Sequence, residues 1–185
     1  HVAEVMLNRP DKFNALDVET FQALDSAART IAGDTTIRAV VLHGAGDNFC
    51  AGIDLGVLQG GGENVARALL APVDGSIANL AQRAAYGWRE LPVPVICAMQ
   101  GITYGGGFQV AMGADLRYAA ANTQFSIMES KWGLIPDMAM PSMKYFCKMK
   151  KMIRTGTVIN TPRTSSMSHF GSRLCMICCA PRDNV

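Results

Sequence analysis

The chain has 185 residues, with 17 Lys and Arg against 15 Asp and Glu, and 49% of its residues are hydrophobic. That is enough to bury one substantial core but not two full ones, so a single domain is expected. The longest apolar run, residues 93–99, is seven residues interrupted by Pro94, far short of the ~20 that a transmembrane helix needs, and no membrane partner is expected. The chain opens on His1, with no basic segment leading into an apolar one. A fragment or trimmed chain is therefore expected rather than a secretory precursor, in a cytoplasmic setting with a mitochondrial one left open.

The small net charge conceals a split. Residues 1–140 carry nine basic and fourteen acidic side chains, net −5, whereas residues 141–185 carry eight and one, net +7. The second segment also holds Cys147, Cys175, Cys178 and Cys179 and five of the eleven methionines. Two compositional units follow: a core over 1–140 and a basic Cys/Met-containing tail over 141–185.

Within the core the apolar period alternates between two and about 3.6, the mark of strands exchanging with helices in an α/β chain. Residues 2–8 read as a strand that ends at Arg9-Pro10, because proline cannot donate to a ladder. Asp17 is placed to cap a helix running to residue 32, with Phe21, Leu24, Ala28 and Ile31 along one face. Residues 37–42 form a second strand and 43–48 a turn-rich loop. A helix over about 76–90 presents Ile77, Leu80, Ala84, Trp88 and Leu91 at steps of three and four, and Pro92 and Pro94 end it before a strand at 93–99. A glycine-rich turn at 101–107 leads into a short helix at 108–113, and two short strands follow near 116–119 and 124–127.

Two glycine-bearing turns carry the chemistry. One is Phe49-Cys50-Ala51-Gly52-Ile53-Asp54-Leu55; the other is Gly101-Ile102-Thr103-Tyr104-Gly105-Gly106-Gly107. Consecutive glycines at a strand-to-helix junction let backbone approach a ligand closely, and free N–H groups at a helix start point toward negative charge. The dinucleotide spacing G-x-G-x-x-G is absent, as is any Gly-Lys-Ser/Thr of a phosphate loop.

These turns, with Leu7-Asn8-Arg9-Pro10-Asp11-Lys12-Phe13-Asn14-Ala15-Leu16 before them and residues 125–136 after, resemble the crotonase superfamily of enoyl-CoA hydratases and isomerases in order and spacing. The resemblance spans nearly all of residues 1–140. It implies a crotonase-like (ClpP/crotonase) spiral of repeated β-β-α units, followed by a helical C-terminal region that builds a homotrimer or hexamer. It also implies that the backbone N–H groups of Ile53 and Gly106 form an oxyanion hole for a thioester carbonyl. Ala51, Gly52, Asp54, Gly105 and Lys12 are then expected around the acyl-CoA substrate, with Asp54 shaping its loop and Lys12 near the CoA phosphates or adenine. Position 56, where several relatives place a lysine, is glycine.

Hydratases of this kind use two glutamates, one three residues past the middle glycine and one twenty further on. The second is Glu129. The first position is Gln109, which cannot exchange a proton near neutral pH. Asp137, eight residues past Glu129, has the spacing of an acidic residue in dienoyl-CoA isomerase relatives, so Glu129 and Asp137 form a possible proton-handling pair; a loop carboxylate or helix cap is the plain alternative for Asp137.

Trp88 and Trp132 read as core or pocket wall and Cys50 as a buried small thiol. His43 has no Ser or Asp partner at triad spacing, which argues against nucleophilic catalysis and against a protease of the related spiral fold. The run Cys175-Met176-Ile177-Cys178-Cys179 with His169 upstream lacks a second cysteine pair, so no metal is expected, and disulfides are disfavoured in this setting. After Pro136 the expected amphipathic helices are not legible apart from a possible helix at 142–154, so the helical region reads as truncated or aberrant. The tail's charge lacks interleaved aromatics, and no nucleic-acid partner is expected. The expected activity is enoyl-CoA hydration or isomerisation with no cofactor beyond the CoA of the substrate; a catalytically silent acyl-CoA-binding or scaffolding protein is the alternative.

Overall fold

The computed structural model describes residues 1–60, 62–138 and the backbone of the strand Cys175–Cys179. β1 (Val2–Leu7) runs into a 3₁₀ turn, Pro10–Lys12, and then α1 (Val18–Gly33). Asp17 caps α1 by accepting the Thr20 N–H at 2.8 Å, and the helix turns Phe21, Leu24, Ala28 and Ile31 into the core, the face that the spacing predicts. β2 (Ala39–Gly44) follows, its side chains alternating between buried and half-buried. After the Phe49 to Asp54 turn come α2 (Leu55–Gly60), α3 (Gly62–Leu69) and α4 (Leu80–Arg89). The chain then lays down β3 (Val95–Met99), β4 (Ile102–Tyr104), α5 (Gly105–Met112), β5 (Leu116–Ala119), β6 (Gln124–Ser126) and a second 3₁₀ turn, Met128–Trp132.

The topology is a repeat. β1, β2, β3 and β5 pair in that order and in parallel to form the main sheet. After each of these strands the chain makes a second, shorter extended passage, and these short passages pair among themselves: Leu16 with Ile53, Cys50 with Thr103, and β4 with β6, all in parallel. Strand, short strand and helix thus recur as a β-β-α unit, the spiral expected from the resemblance. Trp88, Phe21, Phe49, Leu16 and Leu42 are the largest apolar side chains fully buried in it.

Several boundaries differ from the sequence expectations for identifiable reasons. The helix expected from residue 76 starts at Leu80, because Asn79 and Gln82 form a reciprocal capping box, which satisfies orphan N–H groups that an earlier start would leave bare; Ile77 is 95% exposed. α5 begins at Gly105 rather than 108, so the glycine triplet is the helix's first turn and not the loop before it. The strand expected at 37–42 is shifted to Ala39–Gly44. α2 and α3 are not announced by the sequence, because Gly56, Gly60, Gly61 and Gly62 dilute the helical signal. Cys175–Cys179, within the basic tail in which no strand is expected from the sequence, forms β7, antiparallel to β5 with a register shift between Arg117 and Tyr118. The helix expected at 142–154 lies outside the described residues.

Helices α1 and α4 are joined by a buried ionic cluster. Arg83 donates from Nε to Asp25 Oδ1 at 2.6 Å and from Nη1 to Glu90, and Arg29 Nε reaches Asp25 Oδ2 at 2.9 Å. Burial raises the Asp25 pKa, but its bonds to Arg83 and Arg29 outweigh that and hold it below 3.8. The stabilisation is therefore complete above about pH 4 and is lost as pH falls through the folded value. Asp25→Ala is expected to cost roughly 3 to 5 kcal/mol at pH 7 and to flatten the loss of stability below pH 4, as measured by urea unfolding across pH. A variant as stable as the parent, with the parent's acid slope, would show that the cluster holds nothing.

Candidate functional site

The site is assembled where the short passages stack against α5. The loop before α1 is held first. Asn14, 2% exposed and at φ 55°, donates from Nδ2 to the Ala45 and Asn48 carbonyls at 2.9 and 2.8 Å and accepts the Arg9 N–H at 2.8 Å. Arg9 in turn forks across the same loop: Nη1 donates to Ala15 O at 2.5 Å, and Nη2 lies 3.1 Å from Asp17 and 3.2 Å from Asp54. Burial raises the Asp17 pKa, but the Thr20 hydroxyl and N–H and the Arg9 charge more than offset this and leave it lowered. Asp54 also accepts the Gly56 N–H at 2.9 Å. It therefore shapes the turn into α2.

Ile53 sits in the parallel bridge to Leu16, in which Leu16 N–H donates to Gly52 O (2.8 Å) and Asp54 N–H to Leu16 O (2.9 Å). In a parallel bridge of this kind the central residue's own N–H and C=O face away from the partner, so the Ile53 N–H is directed off Leu16. Gly52 makes the turn at φ 98°, a conformation that favours glycine. A Cβ added to it would lie 3.4 Å from the Gly106 nitrogen. Gly106 is the second residue of α5, where no intrahelical acceptor exists for its N–H. A Cβ at Gly106 would touch Met138 Sδ, Leu16 Cδ1 and Ile53 Cγ1 at 3.2 to 3.5 Å.

Across from this turn stands Glu129, in the second 3₁₀ turn. Its Oε1 accepts from Gln109 Nε2 at 2.7 Å, and Gln109 Oε1 accepts the Met138 N–H at 2.9 Å. The Met138 N–H can only donate, so Gln109 must present its NH₂ to Glu129. Glu129 Oε2 is buried and has no hydrogen-bond partner among the described residues. Both carboxylate oxygens lie against Gly105, where an added Cβ would meet them at 3.4 and 3.6 Å. An unpaired buried carboxylate oxygen is costly in a resting protein, and it is aimed at the glycine turn.

Asp137 is exposed, and the structure records no hydrogen bond or ion pair between its carboxylate and Glu129. What this segment contributes to Glu129 is the neighbouring Met138 N–H, through Gln109. Lys12 is exposed in the Pro10–Lys12 turn, and Ala51 donates its N–H to Phe13 O at 2.9 Å. Trp88 is core, but Trp132 is 70% exposed, against the expectation of core or pocket wall: it is at the outer end of its 3₁₀ turn, before a glycine at φ 66°. His43 meets Glu4 Oε1 at 2.8 Å on strand β2. Cys50 is fully buried, and burial pushes its thiol pKa up to about 12. Among the described residues no group of His, Cys, Asp and Glu is arranged to hold a metal, and no helix is long and apolar enough to cross a membrane; the side chains of the Cys175–Cys179 run and His169 lie outside the described set. Asn14, Arg9 and Met138 carry the site without having been singled out in the sequence. Arg9-Pro10 was legible only as a strand end, and Met138 acts through its backbone.

A parallel spiral with two glycine turns and one inward carboxylate defines the crotonase class of fold. Residues 1–147 match the enoyl-CoA hydratase/isomerase family, and the chain belongs to it. It is 38% identical over 136 residues to 1,2-epoxyphenylacetyl-CoA isomerase of Escherichia coli, covering 74% of this chain and 50% of that one. It is 36% identical over 143 residues to mitochondrial Delta(3,5)-Delta(2,4)-dienoyl-CoA isomerase of Homo sapiens, covering 75% and 43%. The crystal structure of an enoyl-CoA hydratase from Bacillus anthracis superposes with a TM-score of 0.70 at 28% identity, over 84% of this chain and 59% of that one. The chain spans about half the length of the curated relatives it matches.

Because Asn14 satisfies three backbone groups at once, Asn14→Ala leaves buried donors and acceptors without partners. It is expected to lower stability by roughly 2 to 4 kcal/mol, read as a lower urea midpoint at unchanged slope; a loss under 0.5 kcal/mol would refute its role as the clasp.

Proposed function

We propose that the chain carries out proton transfer on an enoyl-CoA thioester, with Ile53 and Gly106 N–H groups receiving the carbonyl oxygen and Glu129 moving the proton. The observation that carries this reading is the unpartnered Glu129 Oε2, buried beside Gly105 while Oε1 is held by Gln109. Removing a proton next to a conjugated thioester drives negative charge onto the carbonyl oxygen. Two N–H donors already in place stabilise that charge as it forms, and losing one such donor costs roughly 3 to 4 kcal/mol. The Gly106 donor also lies at the positive end of α5. Oε2 takes the proton from one carbon and returns it to another, which shifts the double bond with no net change in composition. CoA arrives with the substrate, and neither a metal nor a redox cofactor enters the scheme. Assembly as a homotrimer or hexamer and a cytoplasmic or mitochondrial setting belong to the same proposal.

Isomerisation is favoured over hydration. Adding water calls for a second carboxylate to orient and activate it, and Gln109 gives Glu129 a hydrogen bond but no proton. The same substitution is the observation that favours the second reading, a silent acyl-CoA-binding protein.

Titration with crotonyl-CoA, following binding heat together with loss of enoyl absorbance, separates the two: binding without turnover of this or a 3-enoyl ester supports the silent protein. In the active protein Glu129→Gln is expected to lower turnover about 10²-fold or more with affinity for the CoA ester nearly intact; unchanged turnover removes Glu129 from the mechanism. Gln109→Glu is expected to raise hydratase activity. Efficient hydration by the parent, with no gain on that substitution, would overturn the preference for isomerisation.

A further inference from the structure

We propose that Cys50 is a positioning residue that fixes the Gly52–Ile53 turn against the first turn of α5, and so sets the separation of the two N–H donors; this rests on the oxyanion reading given above. Cys50 is tied on four sides. Its N–H donates to Ile102 O at 3.0 Å and its carbonyl accepts the Tyr104 N–H at 2.9 Å, which binds it to β4 on both sides of Thr103. Tyr104 is the residue that leads into α5. Its Sγ accepts the Gly52 N–H at 3.4 Å, within reach for a sulfur acceptor. The fourth contact is steric: a Cβ at Gly107 would lie 2.5 Å from Cys50 Cβ, 2.6 Å from Sγ and 2.7 Å from its carbonyl oxygen, so the third residue of α5 rests directly on this side chain.

The consequence is geometric. One face of the thiol holds the N–H of the residue before Ile53, and the other bears on the residue after Gly106. Both donors are thus referred to a single side chain that touches neither. Fully buried, and with its thiol pKa pushed up to about 12, Cys50 stays neutral across the working range and offers the Gly52 N–H a constant acceptor. Its side chain presents no exposed surface to a ligand. Truncation to alanine would free the Gly52 N–H and leave a gap where Sγ fills the space between Gly52 and Gly107, allowing the turn to shift, and errors near 1 Å in such geometry cost rates far more than affinities.

The test compares Cys50→Ala with Cys50→Ser in the full chain. Serine keeps an acceptor for the Gly52 N–H at similar volume; alanine loses that acceptor and the Sγ that lies beside Gly107, while keeping the Cβ and carbonyl that also face it. For Cys50→Ala, turnover of a 3-enoyl-CoA ester is expected to fall about tenfold or more with KM within threefold. Cys50→Ser is expected to recover to within about threefold of the parent. The Gly52, Ile53 and Gly106 amide resonances of Cys50→Ala should move, while those of the β1–β2 pair stay in place. Unchanged amides and turnover in Cys50→Ala would overturn the proposal, as would a loss that Cys50→Ser does not repair. Should the parent itself fail to turn over any enoyl-CoA ester, the oxyanion reading falls, and the amide resonances still decide whether Cys50 holds the turn.

Discussion

Everything in the site depends on how closely the short second passages approach the helix that follows them. That approach is permitted by residues with no Cβ at the points of contact. Gly107 lies on Cys50, and a side chain there would collide with backbone that is itself bonded into β4. Gly113 lies on the Ala85 carbonyl in the same way and brings α5 against α4. Backbone collisions of this kind are not relieved by rotamer changes, so they fix the spacing between layers more firmly than side-chain packing does. Once α5 is pressed onto the Cys50 segment, the position of its open N-terminal turn relative to Ile53 follows.

A division of labour results. In the mechanism proposed above, charge would be received by main-chain groups, whose direction is set by the parallel bridge at Leu16 and by the helix start, and the proton would be handled by one side chain at the opposite wall. Main-chain donors tolerate variation of their own side chains but not of the backbone that aims them. Glu129 shows the reverse sensitivity: its backbone is in a short 3₁₀ turn, and the aim of its carboxylate comes from Gln109. The amide at 109 satisfies both Glu129 and Met138, whereas an ionised carboxylate there could accept from Met138 but not donate to Glu129.

Much of this was legible in the sequence where local rules and tertiary structure agree. Asp17 as a cap, the Phe21, Leu24, Ala28 and Ile31 face of α1, the strand expected at 93–99 and found at Val95–Met99, and the strand at 116–119 follow from periodicity and capping chemistry. The two glycine turns were legible as sites of close approach. The start of α4 was misplaced because Ile77 fits the helical period but not the fold: the capping box at Asn79 and Gln82 decides the boundary. α3 was missed because it is held by Val65 and Leu69 packed on the core and not by its local sequence, and α2 because its glycines dilute the helical signal. The clasp of Asn14 and the fork of Arg9 were invisible, since partners at 45, 48 and 54 come together only when the spiral closes. Asp137 was read from its spacing alone; its neighbour's N–H is what reaches the site.

The segment from Gly133 to Met138 joins these observations. It leaves the Glu129 turn, runs outward with Leu134 and Ile135 exposed, and returns to bury Met138 against Gly106. Two bonds locate it: Gln82 Nε2 to the Asp137 carbonyl at 3.3 Å from α4, and the Met138 N–H to Gln109 from α5. Met138 therefore has two functions from one position. Its side chain closes the space over the glycine triplet, and its N–H fixes the flip of the Gln109 amide, so that an NH₂ and not a carbonyl oxygen faces Glu129. A displacement of this segment would loosen the wall above Gly106 and release Gln109 together, so the apolar enclosure and the hydrogen bonding of the Glu129 carboxylate are coupled through a single backbone amide.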